Sequence, residues 1–269
     1  MHDDLGRPVD LPDRPERIVS LVPALTETLF AIGAGDAVVG ATRACVEPAA
    51  ALANVARVGG PKNPDLAAIR ALAPDLVIAS SDENRREDLE ALFHAGLPVF
   101  ITEPKTVAGG ILLIGRLGEI TGHEDRGRTI EAELATCLRD TAARTTTQRR
   151  VRYFCPTWQK PWITFNADTY AHDLLRAAGG DNVCARAAAR HPVVTLESVA
   201  AAAPEVVLLP DEPYPFSERD RESLGPLIDT PALRHGQVVV VDGKALSWCG
   251  PRIAAGLATF ARLLDAARS

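Results

Sequence analysis

Cysteine and histidine side chains in this sequence are of the types that ligate soft or borderline metal ions. Cys45 follows one predicted strand, Cys155 ends another, Cys249 lies in a loop near the C-terminus, and His191 precedes a predicted helix. Thiolate and imidazole suit such a metal directly, or as an axial ligand on a chelated one. No Cys-x-x-Cys or His-Glu-x-x-His spacing occurs, so only the fold could assemble a metal site from these four residues. Separate, unligated thiols are the simpler interpretation.

Aromatic residues are scarce, at 5% of the chain, and most of those in its second half stand in loops after predicted strands. In open α/β sheets, ligands collect outside the carboxyl ends of the strands. Proline-flanked segments such as CPTWQKPW and DEPYPF seldom reach a core. For the set as a whole we therefore expect a ligand cleft rather than core packing. Its members are Trp158, Trp162, Tyr170, Tyr214, Phe216 and Trp248.

Basic side chains in the same predicted loops would suit carboxylate or phosphate groups on a ligand. They are Arg43, Arg57, Lys62, Lys160 and Arg252. A solvated surface position is the simpler interpretation for each of them except Arg252. That residue follows Trp248 and Pro251 in a loop that ends a predicted strand.

Catalytic motifs are weak. The sequence has no Gly-x-Ser-x-Gly segment and no Walker phosphate loop. Gly33-Ala34-Gly35 loosely suggests a dinucleotide loop, but these glycines end a predicted helix, whereas the fingerprint requires a strand-to-helix turn. His172 and Asp173 are adjacent on a predicted helix, so their side chains point in different directions. We therefore expect a protein that is not an enzyme and requires no cofactor.

The elements that would position these residues are repeated along the chain. The stretch 64–79, PDLAAIRALAPDLVIA, returns as VTLESVAAAAPEVVLL at 194–209, so that Asp75 matches Glu205. In each copy an amphipathic helix meets a proline, and a near-continuous apolar strand follows. Such a strand is typical of a parallel sheet that is covered on both faces.

This repeat predicts an α/β fold of two similar Rossmann-like lobes with a ligand cleft between them. Its spacing of about 130 residues is that of a domain rather than of a short structural repeat. Residues 107–120 are apolar at helical spacing, and a charged helix after Thr121-Gly122 is long enough to connect the lobes stiffly. We predict an N-terminal lobe at 1–105, a connecting helical segment at 106–148 and a C-terminal lobe at 149–269.

Composition is that of an ordinary globular protein, with 269 residues, 46% hydrophobic residues and a formal net charge of −6. This charge, without a run of lysine or arginine, argues against nucleic acid as a partner. The first residues, MHDDLGRPVDLPDRPERIVSLVP, lack the apolar centre of a signal peptide, so the protein either stays inside the cell or has lost a signal segment. Five cysteines without a disulfide-like spacing favour free thiols.

Four segments together resemble the cobalamin- and siderophore-type substrate-binding proteins of ABC importers, which are class III periplasmic binding proteins with a single backbone helix between the lobes. They are RIVSLVPALTETLFAIGAGDAVVG, VGGPKNPDLAAIRALAPDLVIA, TLESVAAAAPEVVLLPDEPYPF and LSWCGPR. The resemblance runs from Arg17 to about Leu264. It implies a ligand held between two lobes with little hinge motion and docking onto a transporter permease. We also expect a monomer in a periplasmic or cell-surface location.

The resemblance indicates individual residues as well. Where the cobalamin binders carry an aromatic after the second strand, this chain has Ala44, so its neighbours Arg43 and Cys45 become the candidate contacts. His191 stands where a second aromatic precedes a helix of the other lobe. The family docks through a glutamate on each lobe, for which Glu197 is the match in the second lobe, with a solvated helix-start acid as the alternative. In the first lobe the matching position is occupied by alanine, and Asp65 is the nearby substitute.

We therefore predict the substrate-binding component of an ABC importer for a corrinoid such as cobalamin, for haem, or for a ferric siderophore or other metal chelate. The expected ligand-binding residues are Arg43, Cys45, Trp158, Trp162, His191, Tyr214, Trp248 and Arg252. The alternative is an intracellular carrier or enzyme on the same fold that uses the cysteine and histidine set for a metal or metallocofactor.

Overall fold

The computed structural model describes residues 1–268, which divide into two compact units. The N-terminal unit comprises Met1–Pro104, Gly109–Leu134 and Cys249–Pro251, and the C-terminal unit comprises Lys105–Ala108, Ala135–Trp248 and the residues from Arg252 onward. The helices of the predicted connecting segment, 106–148, are divided between these units.

The N-terminal unit is built on a five-stranded parallel sheet. Its strands are β1 (Ile18–Ser20), β2 (Val38–Ala41), β3 (Ala56–Arg57), β6 (Leu76–Ser80) and β7 (Val99–Thr102), in the order β3–β2–β1–β6–β7. A short antiparallel pair, β4 (Gly59–Gly60) and β5 (Asn63–Pro64), lies in the segment between β3 and β6. Every residue of β1, β6 and β7 is buried. This is the burial that a near-continuous apolar sequence predicts for strands covered on both faces.

Five helices or parts of helices belong to this unit. They are α1 (Pro23–Ala31), α2 (Leu66–Ala71), α3 (Arg86–His94), α4 (Val107–Thr121) and the first part of α5 (Glu124–Thr146). Apolar residues of α2 and α3, such as Ile69 and Leu89, pack with Val77 of β6 in one buried cluster. The helical spacing of residues 107–120 is confirmed by α4. Helix α1 begins at Pro23, which occupies its first turn, where a missing N–H costs nothing.

Two glycines let α4 and α5 approach each other closely within the N-terminal unit. A Cβ atom on Gly127 would lie 3.0 Å from the Cα of Gly118 and 3.1 Å from the carbonyl oxygen of Ile114. Larger side chains at these positions would push the two backbones apart.

The C-terminal unit is built on a second, four-stranded parallel sheet. Its strands are β8 (Val151–Phe154), β9 (Gly180–Asn182), β10 (Val206–Pro210) and β11 (Val238–Val241), in the order β11–β10–β8–β9. Its helices are α6 (Tyr170–Ala177), α7 (Leu196–Ala201), α8 (Pro231–Arg234), α9 (Gly243–Ser247) and α10 (Ile253–Arg268), with a 3-10 segment at Glu218–Leu227. The predicted α/β class with two similar lobes is confirmed, since each unit has a parallel sheet whose strands are separated by helices.

The repeated acid has the same role in both units. Asp75 accepts hydrogen bonds from the backbone N–H groups of Glu16 (2.8 Å) and Arg17 (2.9 Å) at the start of β1. Glu205 accepts one from the N–H of Arg152 in β8 (2.9 Å). Each carboxylate therefore fixes the beginning of its own strand to the neighbouring strand, which explains why an acid follows the proline in both copies.

None of the helices between residues 1 and 268 is long and apolar enough to cross a membrane.

Candidate ligand-binding surface

The carboxyl ends of three neighbouring strands in the C-terminal unit lead into the loops that carry most of the predicted aromatic residues. β10 pairs in parallel with β8 on one side and with β11 on the other, so the three carboxyl ends lie at one edge of the sheet. We call the segments of this unit that follow, residues 155–165, 211–217 and 242–248 together with Arg252, the strand-end loops. This is the edge at which open α/β sheets bind ligands.

The first strand-end loop folds into a short antiparallel ribbon. Ile163 donates its N–H to the carbonyl of Trp158 (3.1 Å) and accepts from the Trp158 N–H (3.3 Å), and on its other side it lies opposite Val193. Directly paired residues of antiparallel strands place their side chains on the same face. Trp158, Ile163 and Val193 therefore form one apolar row. Trp158 is 44% exposed and Val193 is 65% exposed, so the row presents apolar surface to the solvent.

A cluster of four aromatic rings holds Trp158 in place. The Trp158 ring meets Tyr214 edge-on at 5.4 Å, and Tyr214 lies 4.6 Å from Phe216. Phe216 stacks on Trp162 at 6.0 Å with 5° between the ring planes. The Tyr214 hydroxyl donates to Oε1 of Gln159 at 3.0 Å. This aromatic cluster joins two strand-end loops, and it rests on a buried base because Phe216 is only 2% exposed.

Trp248 is buried and has hydrogen-bond and cation–π partners in its own unit. It is 5% exposed, and its indole Nε1 donates to Oε1 of Glu212 at 2.6 Å. The Lys244 ammonium and the Arg252 guanidinium each lie 5.3 Å from its ring centroid, which is a cation–π distance. The structure thus gives Trp248, which the sequence predicts as a ligand contact, a set of partners within the strand-end loops.

Glu212 is a partly buried carboxylate with charged neighbours. Burial raises its pKa, while the hydrogen bond from Trp248 and the charge of Lys244 lower it. The negative charges of Asp211 and Asp242 raise the pKa of Glu212 further. The net result is a raised pKa for Glu212, because its hydrogen bond and the nearby cation offset only part of the lost hydration.

Core packing accounts for two members of the predicted aromatic set. Tyr170 is the first residue of α6 and is 7% exposed. Phe216 belongs to the buried cluster of the C-terminal unit together with Leu196 of α7 and Val207 of β10. Proline-flanked loops therefore do reach this core, contrary to the expectation for the set.

In the N-terminal unit, Cys45 is fully buried and Arg43 is exposed. The Cys45 sulfur accepts a hydrogen bond from Thr26 Oγ1 (3.1 Å) and lies 3.1 Å from Thr42 Oγ1. Burial raises the pKa of this thiol. Arg57 is a structural residue, since it donates to the carbonyls of Cys45 (2.7 Å) and Thr42 (3.1 Å). Of the two ligand contacts predicted here, Arg43 reaches the solvent and Cys45 fills the interior.

The four residues of the predicted metal site are divided between the units, with Cys45 and Cys249 in the N-terminal unit and Cys155 and His191 in the C-terminal unit. Residues 1–268 contain no group of three or more histidine, cysteine, aspartate or glutamate side chains that could hold a metal ion. Burial raises the pKa of Cys249 to about 12 and also raises that of Cys155, so both remain thiols at neutral pH. Metals bind the thiolate. His191 lies on the exposed surface of the C-terminal unit.

The two predicted docking acids are both exposed at helix starts. Glu197 lies in the first turn of α7, whose cap is provided by Thr195 accepting from the N–H of Ser198 (3.2 Å). Asp65 is itself the cap of α2 and accepts from the N–H of Ala68 (3.0 Å). Glu197 therefore does not cap its helix, whereas Asp65 does.

A half-open cavity of about 360 Å³ lies elsewhere in the C-terminal unit, between α5, α6 and the start of β8. Its charged side chains serve the fold. Arg176 pairs with Asp173 (2.6 Å), and Arg150 donates to the carbonyl oxygens of Arg176 (2.8 Å) and Gly180 (3.1 Å). The strand-end loops are the better candidate because their exposed groups are aromatic and lie where such sheets bind ligands.

Four residues of this surface were missed by sequence reasoning: Gln159, Ile163, Val193 and Glu212. The segments CPTWQKPW and DEPYPF drew attention through their aromatics, and both contain a polar residue that accepts a hydrogen bond from an aromatic side chain. The apolar row depends on pairing between residues far apart in the chain, which no local pattern encodes.

The fold and the strand-end loops together define a two-unit α/β binding protein. The sequence of residues 18–245 matches the family described as Periplasmic binding protein. The chain therefore belongs to this family, and the resemblance noted from its sequence is confirmed.

Individual relatives are named for binding vitamin B12 or haem. A vitamin B12-binding protein of Vibrio parahaemolyticus serotype O3:K6 is 32% identical over 194 residues, which cover 71% of this chain and 70% of that protein. The crystal structure of the periplasmic vitamin B12-binding protein BtuF of Vibrio cholerae matches with a TM-score of 0.85 at 25% identity, covering 96% of this chain and 100% of that chain. The periplasmic haem-binding protein RhuT from Roseiflexus sp. RS-1 matches with a TM-score of 0.79 at 26% identity, covering 94% and 99%.

Proposed function

We propose that this protein is the substrate-binding component of an ABC importer and that its ligand is a corrinoid, haem or another metal chelate. The observation that carries the proposal is the apolar row beside the aromatic cluster, at the carboxyl ends of β8, β10 and β11. A tryptophan that is held exposed on a rigid support presents apolar surface to water, which is unfavourable unless a partner covers it. Relatives of the chain are named for vitamin B12 and for haem, which are large flat chelates.

The apolar row suits the flat face of such a ligand. Its members lie on neighbouring strands about 4.8 Å apart, so the row spans roughly 10 Å. Aromatic rings offer large contact area with little conformational entropy to lose, because they have few rotatable bonds. The described residues provide no metal-binding group, so we expect the chelated metal to arrive with its own ligands and the protein to bind the macrocycle. The protein has no catalytic role in this proposal and needs no resident cofactor.

The proposed partner is the permease of the importer, with Glu197 as the docking residue of the C-terminal unit and Asp65 as a weaker candidate in the N-terminal unit. An exposed carboxylate suits arginine side chains on the permease because the pair can form two parallel hydrogen bonds. We propose that the protein acts as a monomer, in the periplasm or at the cell surface, and that nucleic acid is not a partner.

The proposal is tested by measuring thermal unfolding with cyanocobalamin, haemin, a ferric siderophore, molybdate and divalent metal ions, followed by absorbance titration of any compound that stabilises the protein. A ligand that binds the native state raises the unfolding temperature by mass action. We expect stabilisation by cyanocobalamin or haemin. Stabilisation by divalent metals alone would contradict the proposal.

Trp158→Ala should weaken the affinity for that ligand by about tenfold, because a lost aromatic contact is worth about 1–2 kcal/mol. Titration of the variant measures this change, and denaturant unfolding should show an intact fold. Ile228→Ala is the matched control, since Ile228 is 63% exposed in the same unit but lies outside the strand-end loops. Equal affinities for both variants and the wild type would remove the apolar row from the proposed site.

A further inference from the structure

The strand-end loop at 211–217 contacts both of its neighbours. Towards the first loop, Tyr214 supports the Trp158 ring at 5.4 Å and its hydroxyl donates to Gln159 (3.0 Å). Towards the third loop, Glu212 accepts the indole N–H of Trp248 (2.6 Å). Two residues of one short segment thus connect the loops that follow β8 and β11.

Glu212 has little freedom to move. A Cβ atom on Gly243 would lie 2.4 Å from Cγ of Glu212 and 2.8 Å from its backbone nitrogen and oxygen, so only glycine allows the start of α9 to approach this closely. The N–H of Gly243 also donates to Oδ1 of Asp211 (2.8 Å). The carboxylate is therefore held at a fixed distance from the ring that it binds.

The hydrogen bond between Glu212 and Trp248 is short and largely shielded from water, since Trp248 is 5% exposed. A hydrogen bond in a low-dielectric interior is electrostatically stronger than the same bond in water. Loss of the acceptor would leave a buried indole N–H without a partner, and the loops would separate to let water reach it.

We propose that Glu212 is a positioning residue for ligand binding, which fixes Trp248 and thereby holds the three strand-end loops in their binding geometry before the ligand arrives. It acts through Trp248 and Tyr214 and does not touch the ligand. Such preorganisation raises affinity because the loops need not be ordered during binding. The inference rests on the proposed function for its ligand, whereas the loop arrangement that it describes is tested without one.

Glu212→Ala, Glu212→Gln and Trp248→Phe form the test series, with cyanocobalamin and haemin as probes. Glu212→Ala should weaken the affinity for the bound probe by about tenfold. Glu212→Gln keeps an acceptor oxygen and should stay within about threefold of the wild type. Trp248→Phe removes the donor and should resemble Glu212→Ala, and the double variant should be no weaker than either single variant, because both remove the same bond.

The ligand-free test uses acrylamide quenching of Trp248 fluorescence. The chain has three tryptophans, so a Trp158→Phe, Trp162→Phe background leaves Trp248 as the single fluorescent indole. In this background Glu212→Ala should increase the quenching constant severalfold, and Glu212→Gln should leave it nearly unchanged.

Glu205→Ala is the matched control, because Glu205 is a second hydrogen-bonded acid of the same unit that precedes β10, at the opposite end of the sheet from the strand-end loops. It should lower stability without changing probe affinity or Trp248 quenching.

The inference is overturned if Glu212→Ala binds the probes as tightly as the wild type, or if its Trp248 quenching is unchanged. Additive losses in the double variant would also overturn it. If the wild type binds neither cyanocobalamin nor haemin nor the ferric siderophore, the proposed function fails, while the quenching series still decides whether Glu212 positions the loops. If Glu212→Ala does not fold, Trp248→Phe and Glu212→Gln carry the same comparison.

Discussion

His172 is a buried titratable side chain that links the stability of the C-terminal unit to pH. It is 9% exposed on α6, and its Nδ1 lies 3.4 Å from the amide nitrogen of Asn182. That amide also donates to the carbonyl of Phe165 (2.9 Å), so Nδ1 serves as an acceptor and the imidazole is neutral. Burial lowers the pKa of His172, and the positive charge of Arg176 lowers it further.

The direction of the pH effect follows from this lowered pKa. The unfolded chain binds the proton at about pH 6.5, the ordinary value for histidine, whereas the folded chain binds it only at lower pH. Below about pH 6.5 the unfolded state therefore binds more protons than the folded state. The free energy of unfolding decreases as the pH is lowered, until the pKa of His172 in the folded state is reached.

His172→Gln should flatten this part of the stability curve, because glutamine supplies an acceptor oxygen that does not titrate in this range. Urea unfolding at several pH values between about 5 and 7.5 measures the slope. Replacing the exposed His94 of the N-terminal unit by Gln serves as the control and should keep the wild-type slope. An unchanged slope in His172→Gln would assign the acid sensitivity to other groups.

At the scale of elements, the contact between α4 and α5 depends on the absence of side chains. The Cβ of an alanine at position 127 would meet backbone atoms of Gly118 and Ile114 at 3.0 and 3.1 Å, and backbone cannot rotate away as a flexible side chain can. Alanine in a helix gains about 1 kcal/mol over glycine. Overpacking against a backbone costs about 1–3 kcal/mol.

Gly127→Ala should therefore lower the free energy of unfolding by up to about 2 kcal/mol, because the steric cost exceeds the gain in helix propensity. Denaturant unfolding measures the change. Gly225→Ala is the control, since a Cβ there would meet no atom within 4 Å, and its effect should stay within about 0.5 kcal/mol. A stabilised Gly127→Ala variant would show that the helices can separate without loss.

The elements were largely predictable from the sequence, because apolar runs and prolines mark them locally. The repeat that contains Asp75 and Glu205 identified the two parallel sheets, and the helical spacing of residues 107–120 identified α4. The edge strand β9 was not predicted, since Gly180–Asn182 has little apolar character.

The candidate site was less predictable, because exposure and pairing arise from the fold. The sequence selects Trp158 and Trp248 equally, yet Trp158 is exposed and Trp248 is buried. Trp248 donates a hydrogen bond to Glu212, which precedes it by 36 residues. The burial of Cys45 and Cys155 was likewise not encoded locally.

At the scale of the whole molecule, the proposed contact with the transporter can be removed without changing ligand binding. Glu197 is exposed and is not needed to cap α7, because Thr195 caps it. Glu197→Ala should therefore leave ligand affinity unchanged while reducing the ATPase stimulation of the reconstituted importer several-fold, since it removes a carboxylate from the proposed contact with permease arginines. Glu218→Ala changes another exposed helix-start acid of the same unit and should have no effect on either measurement. Full stimulation by Glu197→Ala would place the docking residue elsewhere.

The buried cysteines allow opening of the native structure to be measured by their chemical reactivity. Because burial raises the pKa of Cys45 and that of Cys155 in the folded chain, neither thiol is a ready nucleophile until the polypeptide around it comes apart. The rate at which a maleimide dye labels these thiols therefore measures how often the native state opens, separately for the two units. A bound ligand should lower the labelling rate in the unit that it stabilises.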